Sequence, residues 1–186
     1  GMVVFLSLLG GNAFLIIGRG VMDRRGEKMA FNCGNVTTAG ANSPAVVIAA
    51  NGTTNVTCGT VTTTGAASDA ILVSNTAGTT TVTGGTTSAT GAGSRGIVVT
   101  SSAPAASGLV TVNSGVVTAN GNAVAASSTG GANVVINATG NVTSTTGTGL
   151  TATTAGTTLV TIGAGTTTTG VQGANLQGTA GNTLVV

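Results

Sequence analysis

The chain has 186 residues, 41% of them hydrophobic and only 4% charged, with a formal net charge of +2 and no His, Trp or Tyr. Most of its charges, Arg19, Asp23, Arg24, Arg25, Glu27 and Lys28, fall in one short stretch, and only Asp69 and Arg95 follow it. A near-neutral remainder offers no electrostatic footprint for nucleic acid, no pair of acids for glycoside chemistry, no carboxylate cluster for calcium and no His/Cys set for zinc. The expectation is therefore a non-enzymatic chain with no cofactor and no metal site. Disorder goes with low hydrophobicity or high net charge, and a mean hydropathy of +0.50 argues for ordered structure instead.

Residues 1–29 differ from the rest. Met2 to Ile17 is largely apolar, but shorter than the ~18 residues of a membrane-spanning helix. Its positive residues follow the apolar run, and it shows no small-x-small cleavage site, so it makes a poor signal peptide. This segment reads as a leader remnant, as an N-terminal cap over the end of a stack, or as partly spurious sequence.

From residue 30 onward the chain repeats about every 25 residues. One run ends in Gly, as in Val36-Thr37-Thr38-Ala39-Gly40, Val61-Thr62-Thr63-Thr64-Gly65 and Val117-Thr118-Ala119-Asn120-Gly121. A second opens with a small residue and an aliphatic one: Ala45-Val46, Ala70-Ile71, Gly96-Ile97, Ala123-Val124 and Gly149-Leu150. A third is Val-rich and places Val56, Val82, Val110, Val135, Val160 and Val185 at steps of 26, 28, 25, 25 and 25. A fixed period of this size marks a stacked repeat architecture. Val, Ile and Thr favour strands because their branched side chains pack well on a pleated surface. Beyond Lys28 no stretch shows a helical apolar period.

Three strands per repeat predict an all-β fold: a three-sided parallel β-helix of about six coils, occupying residues 30–186 and about 30 Å long at ~4.8 Å per coil. Like residues should stack in columns, Ile71 on Ile97 on Val124 on Leu150. The longer step from Val82 to Val110 predicts an outward loop over residues 101–107, around Pro104. In the Val-rich run either Leu109/Thr111 or Val110/Val112 can face inward, since a one-residue slip exchanges the faces. A chain that stops inside a Val-rich strand, at Leu184-Val185-Val186, reads as a fragment, and exposed coil ends are open strand edges that favour end-to-end association.

Cys33 and Cys58 are one period apart. Adjacent coils lie ~4.8 Å apart and a disulfide needs Cα atoms ~4.4–6.8 Å apart, so the spacing predicts a cystine and an oxidising compartment. Asp69 and Arg95, also about one period apart, are expected to meet as an exposed ion pair. Sequons occur at Asn35, Asn51, Asn55, Asn137 and Asn141, as chance allows in a chain rich in Asn and Thr.

The Val-Thr-Thr-x-Gly run followed by a small–aliphatic pair, as in Val61-Thr62-Thr63-Thr64-Gly65 and Ala70-Ile71, resembles the passenger domains of bacterial autotransporters and large secreted adhesins. The resemblance covers roughly residues 32–186. It implies a right-handed β-helix in a secreted or cell-surface protein anchored in the outer membrane through a C-terminal translocator barrel. The repeat, the neutral polar surface and the missing catalytic groups make this chain, on that reading, a non-catalytic stalk or adhesive segment that meets an unidentified surface or host ligand. No membrane span is expected within the repeats.

An alternative comes from the Thr residues. With Val61 and Thr63 inward, alternation turns Thr62 and Thr64 outward. The same pattern gives Ser88/Thr90, Thr118/Asn120, Thr143/Thr145 and Thr167/Thr169. Two parallel files of hydroxyls and methyls resemble the Thr-x-Thr arrays of ice-binding solenoids.

Overall fold

The computed structural model describes residues 3–9, 12–22 and 28–186, with side-chain detail from Lys28 onward. The expected cap or leader over residues 1–29 therefore lies partly outside the described residues, as do Asp23, Arg24, Arg25 and Glu27. Strand Val3–Leu9 pairs antiparallel with Asn12–Met22, which pairs antiparallel with Lys28–Asn32.

The remaining strands are parallel and form three faces of a solenoid. Face 1 stacks Lys28–Asn32, the first part of Thr53–Thr63, the first part of Thr80–Ala89, Leu109–Ser114, Asn133–Ala138, Thr157–Ile162 and Gly181–Val185. Face 2 stacks Val36–Thr38, the ends of Thr53–Thr63 and Thr80–Ala89, Val117–Ala119, Val142–Ser144 and Thr168–Thr169. Face 3 stacks Val46–Ala50, Ile71–Asn75, Ile97–Ser101, Val124–Ser128, Thr148–Thr154 and Gln172–Gly178. Six coils result: 28–50, 53–75, 80–101, 109–128, 133–154 and 157–178. Among the described residues there is no helix, and so none long and apolar enough to cross a membrane.

The core is a bundle of vertical columns. Ile71, Ile97, Val124 and Leu150 are direct register partners with no exposed surface. Each such side chain contributes about 1.5–3 kcal/mol of burial, so a chain almost without aromatic residues still builds a continuous interior. Faces 1 and 2 add the columns Val56–Val82–Val112–Ile136–Val160 and Val36–Val61–Thr87–Val117–Val142.

The expected Val-rich series needs correction. Val82 pairs with Val112, not Val110, and the column continues through Ile136, Val160 and Leu184 at steps of 24. Val110 faces inward in the neighbouring column, beside Thr80 and Val134. Val135 and Val185 belong to outer files, partnered by Leu159 and Thr161. Consecutive aliphatic residues hide the period of 2, so a linear series jumps from one face to the other. The facing left open in this run resolves as Val110 and Val112 inward and Leu109 and Thr111 outward.

The step from Val82 to Val112 is 30 residues. Its surplus lies between Ser101 and Leu109, where expected. There Pro104 bridges Gly131, and its carbonyl accepts from the Ser107 and Gly108 amides.

Candidate functional site

The corner between faces 2 and 3 has its own chemistry. Coils 1–3 turn through Gly40-Ala41-Asn42-Ser43, Gly65-Ala66-Ala67-Ser68 and Gly91-Ala92-Gly93-Ser94. The third residue is left-handed in each, with φ of 54° at Asn42, 51° at Ala67 and 73° at Gly93. Asn and Gly tolerate that region; Ala67 does so at a cost of about 1–2 kcal/mol. The glycines stack so closely that a Cβ at Gly65 or Gly91 would run into the carbonyl of the glycine one coil below.

The serines form a buried vertical relay. The Ser43 amide donates to Ser68 Oγ at 2.9 Å, and the Ser68 amide donates to Ser94 Oγ at 2.9 Å. Each acceptor hydroxyl then donates down to a carbonyl, Ser68 to Gly40 at 2.9 Å and Ser94 to Gly65 at 2.8 Å. Backbone groups in a tight corner are thus satisfied without water. The sequence reading missed this column, although its signal is plain: Ser43, Ser68 and Ser94 recur at steps of 25 and 26.

Asp69 and Arg95 follow this turn in coils 2 and 3. Arg95 grips the carboxylate twice, Nε to Oδ1 at 3.0 Å and Nη2 to Oδ2 at 2.5 Å, and its backbone amide adds a third bond to Oδ1 at 3.1 Å. The side chains are 44% and 11% exposed respectively, so the pair is better ordered than the exposed bridge expected from sequence. The Asp69 hydrogen bond raises the Arg95 pKa above its already high ordinary value, burial lowers it, and the charge of Asp69 raises it further. A raised pKa on a cation stabilises the fold below its unfolded value and loses that contribution only as pH climbs through the folded one. On the Arg95 side the clamp is therefore insensitive to pH across the neutral range.

Cys33 and Cys58 occupy one inward column of face 1, below Gly84. Their Cα atoms are 4.7 Å apart, their sulfurs are bonded, and both residues are buried.

The outward hydroxyls form one complete file on face 2. Thr37, Thr62, Ser88, Thr118, Thr143 and Thr169 are successive register partners. Inward neighbours Val61 and Thr63 are fully buried, so alternation places Thr62 outward. The second expected file, Thr64, Thr90, Asn120 and Thr145, lies where the strands end; the amides of Thr64, Thr90, Asn120 and Thr145 continue the vertical ladder. The last expected pair is corrected. Thr169 belongs to the first file, because it stands over Thr143, and Thr167 stands over Asn141, whose side chain accepts from its amide at 3.0 Å. The expected pair lies 24 residues after Thr143/Thr145, whereas the register step is 26, which puts Val142 under Thr168.

Asn side chains extend the ladder across other turns. The carbonyls of Asn35, Asn122 and Asn133 accept from the amides of Thr60, Thr148 and Thr157. Asn137 donates to Asn113 at 2.9 Å on the outer side of face 1. The sequon residues Asn35, Asn137 and Asn141 are thus engaged in coil-to-coil bonding.

A shallow cleft on coils 4–6 is lined by Ser128, Thr129, Thr153, Thr154, Gln177 and Thr179 among others, all without charge. Among the described residues no group of three or more His, Cys, Asp or Glu side chains comes together. What the surface presents is hydroxyl, amide and methyl groups at a regular vertical spacing, suited to hydrogen bonding and steric display. No family model, curated protein or solved structure matches the chain.

Proposed function

We propose that this chain is a non-catalytic structural stalk or adhesive segment of a secreted protein held at a bacterial cell surface, as in autotransporter-type proteins. The observation that carries the reading is the unbroken stack of six parallel coils with a neutral hydroxyl and amide exterior. A stack whose coils touch only their neighbours transmits position along its axis and tolerates changes in coil number. The disulfide in coils 1 and 2 suits an oxidising exterior.

The test is in-register excision. Removing residues 124–149 joins Ala123 to Leu150, which is the register partner of Val124, and so deletes one coil cleanly. A spacer keeps its fold and its surface display and becomes one coil shorter. Loss of folding, or loss of a defined chemical turnover by the parent protein, would overturn the reading. Adhesion is checked separately by binding of the purified chain to host-cell surfaces.

A second reading rests on the outward file Thr37–Thr62–Ser88–Thr118–Thr143–Thr169. Hydroxyls and methyls in register suit ordered water, and the corresponding activity is ice binding. It predicts thermal hysteresis that disappears in a Thr118→Tyr/Thr143→Tyr double variant. Unaltered ice growth in the presence of the unmodified chain rejects it.

A further inference from the structure

We infer that the solenoid is divided at the Ser101–Leu109 loop into a pinned base, coils 1–3, and a less restrained upper half that opens first, with the Cys33–Cys58 disulfide as the redox-sensitive pin of the base.

Three kinds of restraint beyond the ladder coincide in the base. The disulfide ties coil 1 to coil 2. The clamp from Arg95 to Asp69 ties coil 2 to coil 3. The buried serine relay runs through all three coils. Among the described residues, coils 4–6 contain neither a disulfide nor an ion pair. Side-chain bonds between their coils are neutral, and most lie at half-buried or exposed turns, as with Asn122 to Thr148 and Asn141 to Thr167. The corner itself changes, from Gly-Ala-x-Ser to Asn120-Gly121-Asn122, where the accepting group is an exposed or half-buried amide.

The division falls where the chain departs most from its period. The 30-residue step from Val82 to Val112 inserts the Pro104 turn between coil 3 and coil 4. In a one-dimensional stack, stability is a sum of coil terms and neighbour terms, so unequal neighbour terms make opening directional. Water competes for exposed turn bonds and not for a covalent bond or a buried hydroxyl relay.

Hydrogen exchange read by mass spectrometry on the 186-residue chain tests the division. In the oxidised protein, strand amides of coils 4 and 5 should exchange at least tenfold faster than those of coils 2 and 3. Addition of reductant should raise exchange in Lys28–Asn32 and Val36–Thr38 at least tenfold. A Cys33→Ser/Cys58→Ser variant should behave like the reduced chain and ignore the reductant. Equal exchange in both halves, or slower exchange in coils 4 and 5, overturns the division. Unchanged exchange in coil 1 on reduction overturns the role of the disulfide.

Discussion

Coils 1–3 and coils 4–6 solve the same geometric problem at the corner between faces 2 and 3 with different chemistry. In the lower coils a buried serine hydroxyl takes the amide from the coil below and returns a hydrogen to the glycine carbonyl. In the upper coils Asn122 offers its half-buried side-chain carbonyl to the Thr148 amide, while the Ser144 hydroxyl still donates to the Gly121 carbonyl but takes its amide hydrogen from Gly147 of its own turn. Both satisfy the backbone, as any turn between parallel rungs must. The comparison shows that a stack can be regular in its columns and uneven in its joints, because side chains inside the coil set the core while those at the corners set how firmly each coil holds the next.

The difference can be broken most forcibly at the disulfide. Replacing Cys33 and Cys58 by Ser should cost about 3 kcal/mol, the loop-closure contribution expected for a ring of one coil, measured by chemical denaturation against the oxidised parent. Next comes the stacked glycine corner. Gly91→Ala drives a methyl into the Gly65 carbonyl and should cost on the order of 3 kcal/mol. Gly163→Ala in coil 6 meets its nearest neighbour at 3.2 Å and should stay within ~1 kcal/mol. The pair of melting curves separates a glycine stacked on a backbone carbonyl from one with room for a methyl.

A smaller effect is expected from Ser68→Ala. It strips the acceptor from the Ser43 amide and leaves that buried group unsatisfied, at about 2 kcal/mol. Loss below ~0.5 kcal/mol by denaturant titration would show that the relay contributes little beyond the ladder. The smallest change has the opposite sign. Ala67 holds φ at 51°, so Ala67→Gly should raise stability by up to ~1 kcal/mol, the relieved strain being partly offset by the greater entropy of an unfolded glycine.

Much of the fold was readable because columns of like residues leave a trace in one dimension. The 25-residue spacing, the Ile71–Ile97–Val124–Leu150 column and the bulge around Pro104 all appear in the structure at the expected places. The readings that shifted share one cause. Val134, Val135 and Ile136 are all aliphatic, so composition cannot say which two face inward, and only pairing with Val110 and Val112 decides it. Thr167 looked equivalent to Thr143 by count, but coils vary in length and the register puts Thr169 there. The serine relay escaped because Ser in a Gly-rich turn looks like solvent-facing loop, although Ser68 and Ser94 are fully buried.

What the sequence by itself determined is the rung: a period near 25, β-branched runs separated by small turn residues, and a neutral exterior. Those follow from local propensity and from repetition, which need no knowledge of distant contacts. The tertiary structure alone decided which alternate residue is buried, how far each coil slides on the next, and which polar side chains close the corners. These are properties of one coil set against another, and a shift of a single residue exchanges inside for outside.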